Sequence, residues 1–287
     1  MQIQEQVSLA PKTTMRIGGS ARFYAELATQ KDVEEAWQFA RSKELPLLAL
    51  GAGSNTIFAD EGVDALVVRV VADAIDVNGN TVRAEAGASL PTLVTQLAKR
   101  GLDLSSLAGI PGTVGGAIFG NAGQGPQGTW LDHFVQTVIV FVDGAWKTLA
   151  RSECGFAYRE SVFKQWQNPL IWKTTLLVPS RKAANIEQDI HALLKKRTVA
   201  QPFARTAGSC FKAVNGTPAW KIIDAAGLKG LKAGDLQVSD KHANFLINTG
   251  QGTFGDAKRL VEEIREKTGS PLELEMRFVE QSGSLMR

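Results

Sequence analysis

Hydrophobic positions recur at helical spacing in some stretches of the chain and cluster as strands in others. Val33, Ala36, Trp37 and Ala40 share one helical face. Thr29 and Asp32 before them read as a capping box that opens the helix, and Pro46 closes it. Residues 47–50 then read as a short buried strand that runs straight into Gly51-Ala52-Gly53-Ser54-Asn55. Further strands are predicted at 66–71 and 81–86. Ser89 is placed to cap a second helix carrying Leu93, Val94, Leu97 and Ala98, which Gly101 ends. Between 109 and 123 the glycine loading excludes both helix and strand.

The next predicted elements are a strand at 134–142, an Asp143-Gly144 turn, its return at 146–149, and a strand at 170–178. Ile186, Ile190, Leu193 and Leu194 make the apolar stripe of a helix ending near Lys196 and Arg197. Gln201-Pro202 reads as a boundary. Beyond it lie helices at 218–226 and 254–267, stopped by Gly227 and Gly269, with strands at 236–238 and 244–248 between them. The strand-rich middle makes this an α+β chain rather than a doubly wound sheet. No repeat, low-complexity tract or charge block interrupts it.

Composition changes this picture in three places. A length of 287 residues suggests about two domains, at roughly 150 residues each. Glycine is in excess, at 28 residues, against roughly 7% in average proteins. Cys and His are scarce, at 2 and 3 residues, which excludes a disulfide framework or a four-cysteine zinc site and leads us to expect no metal site. The formal charge of +3 is too small to suggest a nucleic-acid partner. No apolar run reaches the ~18 residues of a membrane span, and Met-Gln-Ile-Gln-Glu-Gln at the start lacks the character of a signal peptide. The expectation is a soluble cytoplasmic protein without membrane insertion.

Two glycine-rich loops that follow strands can cradle phosphate with backbone N–H groups, because glycine permits positive φ and close approach. The alternative is that both are only tight turns. A Rossmann fingerprint is rejected, because its third glycine would fall on Thr56. There is no Walker A sequence.

An ordered set of motifs narrows the choice. It comprises Gly51-x-Gly53-Ser54-Asn55, Gly109-Ile-Pro-Gly112-Thr-Val-Gly115-Gly116 with Asn121-Ala122-Gly123, and Tyr158-Arg159-x-Ser161-x-Phe163-Lys164. It continues with Ala207-Gly208-Ser209-x-Phe211-Lys212, Lys241-His242-Ala243-Asn244-Phe245 and Leu272-Glu273-x-Glu275-x-Arg277-Phe278. Together, from about Thr13 to Val279, they closely resemble the UDP-N-acetylenolpyruvoylglucosamine reductases, flavoenzymes of bacterial peptidoglycan precursor synthesis. The short stretch between Lys164 and Arg197 resembles the branch lacking an extra tyrosine-bearing loop.

The resemblance implies an α+β architecture. An FAD-binding fold of the vanillyl-alcohol oxidase type would occupy two subdomains, 1–75 and 76–199, the second joined by a C-terminal strand at 270–287. A smaller α+β substrate-binding domain would occupy 200–269. NADPH would reduce FAD, and the enolpyruvyl ether of UDP-N-acetylglucosamine would then be reduced to UDP-N-acetylmuramate. Neither Cys nor any His lies in the glycine loops, so non-covalent FAD is expected. A small UDP-sugar and NADPH would be the partners, and the chain would be a monomer.

The same resemblance carries the site expectations. Ser209 would donate the proton, Arg159 would face the enolate charge, and Glu275 would help stabilise it. Gly51, Ala52, Gly53, Ser54, Asn55 and Thr56 would hold FAD. So would Ile110, Pro111, Gly112, Thr113, Gly115, Gly116, Asn121, Gly123 and Arg277. Tyr158, Arg197, Lys212, Lys241, His242 and Asn244 would meet the substrate. Arg197 reads equally well as a cation at a helix C-terminus. The Asn that often follows the serine motif is replaced here by Ala213, with Asn215 nearby. Alternation places Glu273, Glu275, Arg277 and Val279 on one face of a strand. Cys210 reads as packing. The rival readings are a flavin oxidase of the same superfold and a non-catalytic flavin-binding protein.

Overall fold

Thr29 starts the first helix as its sequence requires. Its hydroxyl accepts the Asp32 N–H, and the Asp32 carboxylate accepts the Thr29 N–H at 2.8 Å, a complete capping box. The computed structural model describes residues 1–125 and 128–286; Arg287, the end of the expected C-terminal segment, lies outside the described residues.

In chain order the strands are β1 (Ile3–Ser8), β2 (Ser20–Leu27), β3 (Leu47–Ala49), β4 (Thr56–Phe58), β5 (Val63–Val70), β6 (Ile75–Asn78) and β7 (Thr81–Glu85). They continue with β8 (Val135–Val142), β9 (Ala145–Ala150), β10 (Leu170–Leu177), β11 (Lys232–Ala233), β12 (Leu236–Val238), β13 (Leu246–Asn248) and β14 (Arg277–Val279). The helices are α1 (Gln30–Ser42), α2 (Leu90–Ala98), α3 (Val114–Phe119), α4 (Ala183–Ala200), α5 (Ala219–Ala225) and α6 (Phe254–Thr268). The sheets run β1-β2-β5-β3, β6-β7-β10-β8-β9, β11-β12-β13 and β14-β4. The α+β expectation holds.

Two compact units divide the chain. The first holds Met1–Ile3, Ala25–Gly51 and Leu66–Arg197. The antiparallel sheet β6-β7-β10-β8-β9 backs its core, where Val82, Leu93, Leu97, Val138 and Leu176 are buried. The second unit holds Gln4–Tyr24, Ala52–Ala65 and Thr198–Arg287. Its core joins Met15, Ile17 and Ile57 to Phe211, Leu236, Leu260 and Phe278. Helix α6 has a full capping box at Thr253 and Asp256 and ends on Gly269 at φ +58, where glycine avoids a Cβ clash. Each such cap stabilises by about 1 kcal/mol.

Two predictions need correction. Helix α3 occupies the glycine stretch whose composition argues against a helix. Its glycines are tolerated because the helix is short, Thr113 caps it, and close approach is needed: a Cβ on Gly115 would lie 2.8 Å from Ala86 Cβ. The strand expected around Glu275 is shorter than alternation suggested. It spans only Arg277–Val279, and a bend at Met276 precedes it. Strand β14 pairs in parallel with β4, matching Arg277 with Thr56.

Candidate active site

In the first unit the second glycine loop is built by side-chain staples. Asn121 is completely buried. Its Nδ2 donates to the Ala157 carbonyl at 2.9 Å, and its Oδ1 accepts the Asp132 N–H at 3.1 Å. Those bonds tie the loop to the Tyr158-Arg159 turn. Thr113 Oγ1 accepts the Gly116 N–H at 3.2 Å, and a Cβ on Gly51 would come within 2.9 Å of that same oxygen. A side chain at Gly51 would therefore displace the cap.

Arg159 occupies the turn closed by the pair Ala157 and Glu160, at φ +57. Its Nη2 donates to the Gly123 carbonyl at 2.9 Å, and its guanidinium lies 5.5 Å from the Tyr158 ring centre. The Lys164 ammonium donates to the Arg159 carbonyl. Ser161, in the same motif, donates to the Phe119 carbonyl at 2.7 Å and is a scaffold residue. Arg197 lies against this loop, because a Cβ on Gly109 would sit 2.7 Å from Arg197 Cδ. Burial, and then repulsion from Arg159, push the Arg197 guanidinium below its ordinary value. Its Nε is buried without a partner among the described residues. Two repelling cations beside a glycine loop form a site that favours an anion.

In the second unit the first glycine loop meets the C-terminal residues. Gly53 has φ +67, and a Cβ there would lie 2.2 Å from the Lys12 carbonyl. The Gly53 carbonyl accepts the Thr14 N–H at 3.1 Å. Asn55 Nδ2 donates to the Glu275 carbonyl at 3.0 Å, and the Asn55 carbonyl accepts the Arg277 N–H at 2.9 Å. Arg277 keeps part of its surface open, yet its Nε is buried, and burial pushes its guanidinium down to about 10.

Ser209 is half-buried and pairs across an isolated bridge with Phe245. The next carbonyl, of Cys210, accepts the Glu275 N–H at 2.8 Å. This unit therefore brings together the Ala52–Thr56 loop, Ser209, Glu275 and Arg277. Burial pushes the Cys210 thiol far up, so it stays a neutral packing group.

The expected substrate contacts fare differently. Lys212 Nζ lies 2.6 Å from Glu273 Oε1, and Lys241 Nζ donates to the Thr198 carbonyl at 2.5 Å. His242 stacks edge-on against Phe245 at 4.7 Å, and burial pushes its imidazole below the ordinary value. Asn244 is only 5% exposed, and both ends of its side-chain amide bind the Phe211 backbone. Thr14, which holds the Gly53 carbonyl, is a lone threonine and carries no periodic or motif signal in the sequence.

Among the described residues no group of three or more His, Cys, Asp or Glu side chains is arranged to hold a metal. Among them too, no helix is long and apolar enough to cross a membrane.

Residues 200–279 match the family described as UDP-N-acetylenolpyruvoylglucosamine reductase, C-terminal domain, and residues 21–150 match the family described as FAD binding domain. The UDP-N-acetylenolpyruvoylglucosamine reductase of Moorella thermoacetica is 38% identical over 283 residues, covering 96% of this chain and 93% of that protein. Reductase 2 of Symbiobacterium thermophilum is 36% identical over 284 residues, covering 96% and 92%. The crystal structure of the Thermus caldophilus reductase matches with a TM-score of 0.86 and 34% identity, over 97% of this chain and 99% of that one.

Proposed function

The chain belongs to the UDP-N-acetylenolpyruvoylglucosamine reductase family, and from that membership we propose that it reduces the enolpyruvyl ether of UDP-N-acetylglucosamine to UDP-N-acetylmuramate, using FAD and NADPH. The observation that carries this reading is the pair of bonds at Glu275. Its carbonyl accepts from Asn55 of the glycine loop, and its N–H donates to Cys210 beside Ser209.

The residues present fit FAD. Gly51 and Gly53 stand where an added Cβ would collide with Thr113 and Lys12, so only glycine leaves the backbone open to close approach. We assign Gly51 to Thr56, Ile110 to Thr113, Gly115, Gly116, Asn121, Gly123 and Arg277 to holding it without a covalent bond. Bound FAD, once reduced by NADPH, supplies the hydride that the vinyl carbon receives.

The chain's own residues handle what remains. Arg159 offers a planar guanidinium fork to the substrate carboxylate, where enolate charge develops. Glu275 shares in stabilising that charge. Ser209 Oγ–H delivers the proton to the carbon beside the carboxylate. A hydroxyl is a weak acid, but the enolate is a strong base. Tyr158, Arg197, Lys212, Lys241 and His242 are assigned to substrate contacts, most of them within 200–269. The protein works as a cytoplasmic monomer on soluble nucleotides, without nucleic-acid partners.

Anaerobic half-reactions test the reading. NADPH should bleach flavin absorbance near roughly 450 nm, and the enolpyruvyl substrate should restore it. Reduced protein that the substrate fails to reoxidise would reject the proposal. Ser209→Ala should spare reduction and slow reoxidation by roughly a thousandfold.

A further inference from the structure

We propose that Asn244 is a positioning residue for Ser209, acting as a one-residue strand partner for the segment that carries the serine. The inference rests on Ser209 being the proton donor. A serine side chain has a single χ1 with three staggered wells, so its backbone fixes where Oγ can point. The backbone around Ser209 is poorly constrained by regular structure. Gly208 before it stands at φ +78, and Ser209 itself belongs to no strand, only to an isolated bridge with Phe245.

Asn244 supplies the missing constraint. Its Oδ1 accepts the Phe211 N–H at 3.0 Å, and its Nδ2 donates to the Phe211 carbonyl at 2.8 Å. This is the exchange of both backbone groups that an antiparallel neighbour makes with a hydrogen-bonded pair. The Asn244 backbone carbonyl also accepts the Cys210 N–H at 2.8 Å. One buried residue thus holds the two residues that follow Ser209. Only an amide of this length offers donor and acceptor side by side. Aspartate would set a carboxylate oxygen against the Phe211 carbonyl, and glutamine is a methylene too long.

The clamp is itself held in place. Ser239 Oγ accepts the N–H groups of Lys241 and His242, and His242 Nδ1 accepts the Asn244 N–H at 3.4 Å. The Phe245 N–H donates to the His242 carbonyl at 2.9 Å. The Lys241-His242-x-Asn244 run therefore forms a turn that presents Asn244 to Phe211.

The test uses FAD-loaded Asn244→Asp and Asn244→Ala, which removes both side-chain bonds without adding a charge. Each is compared with wild type in anaerobic stopped flow. Flavin reduction by NADPH should stay within about twofold, and substrate affinity within a few-fold. Reoxidation at saturating substrate should fall roughly 10- to 100-fold, the effect of displacing a reacting group by about 1 Å. In the decisive comparison, Asn244→Asp added to Ser209→Ala should slow reoxidation no further than Ser209→Ala does alone. Losses that multiply in the double variant would overturn the proposal. So would unchanged reoxidation in either single variant, or equal losses in both half-reactions. If Ser209→Ala itself leaves reoxidation intact, the assignment of Ser209 fails instead, and the separate single-variant result identifies that case.

Discussion

Arg159 carries a backbone conformation that its side chain disfavours, at φ +57. For a residue with a Cβ, the left-handed region costs on the order of 1 kcal/mol, so neighbouring bonds must hold it there. The Ala157 and Glu160 backbones exchange both hydrogen bonds across the turn, and Lys164 reaches the Arg159 carbonyl. The result aims a guanidinium back at the Gly123 carbonyl, 2.9 Å away. Lysine at this position would keep the charge but lose the planar fork. Arg159→Lys should therefore slow flavin reoxidation by the enolpyruvyl substrate roughly 10²-fold, as for loss of one preorganised donor, and leave reduction by NADPH nearly unchanged. Stopped-flow rates equal to wild type in both half-reactions would remove Arg159 from the chemistry. The cysteines show the opposite kind of residue. Burial, assisted by the Glu153 charge, pushes the Cys154 thiol up to about 11, so neither its burial nor its acidity suits a reactive group.

At the scale of elements, what the sequence revealed was local. The capping box at Thr29, the Ser89 cap of α2 and the Gly269 stop of α6 were legible, because each spans only a few residues. β4 was not, since a three-residue strand that pairs with β14 across the length of the chain has no periodic signal of its own. β1 was missed because its buried face is thin, with only Ile3 and Val7 partly covered. The site divides in the same way. Its motif residues could be named from the resemblance. The bonds from Asn55 to Glu275 and from Asn244 to Phe211 link positions that only the fold brings together. The first glycine loop illustrates what such closeness demands. At Gly53, φ is +67 and an added Cβ would lie 2.2 Å from the Lys12 carbonyl, whereas at Gly79, φ is +56 and nothing lies within 4 Å. Gly53→Ala should force the loop off Thr14 and raise the FAD dissociation constant at least tenfold, measured by flavin fluorescence. Gly79→Ala, with only the backbone cost of roughly 1 kcal/mol, should bind FAD as wild type does. Equal flavin content in both purified variants would show that the Gly53 loop does not hold the cofactor.

For the whole molecule, a family match and a folding unit need not coincide. Residues 200–279 carry the match to the reductase C-terminal domain. The compact unit that contains them also includes Gln4–Tyr24 and Ala52–Ala65. That difference is energetic as well as geometric. Met15 and Ile17 are 0% and 1% exposed within this unit's core, alongside Ile57 at 0% and Ala59 at 2%. Full burial of each larger side chain contributes about 1.5–3 kcal/mol. A domain's net stability is only about 5–15 kcal/mol. Strand β14 would also lose Thr56–Phe58 of β4, with which it forms its ladder. The Asn248 side chain would lose the Met15 carbonyl it holds at 3.0 Å, and the first N–H groups of α6 would lose the Asp60 carboxylate, 2.9 Å from the Phe254 nitrogen. A fragment beginning at Thr198 should therefore be unfolded when expressed alone, with a far-ultraviolet spectrum of disordered chain and no cooperative melt. Supplying 4–65 on a second chain should restore a cooperative transition, if the missing contacts are the cause. A folded, cooperatively melting 198–287 fragment would show that the N-terminal segments decorate this unit rather than complete its core.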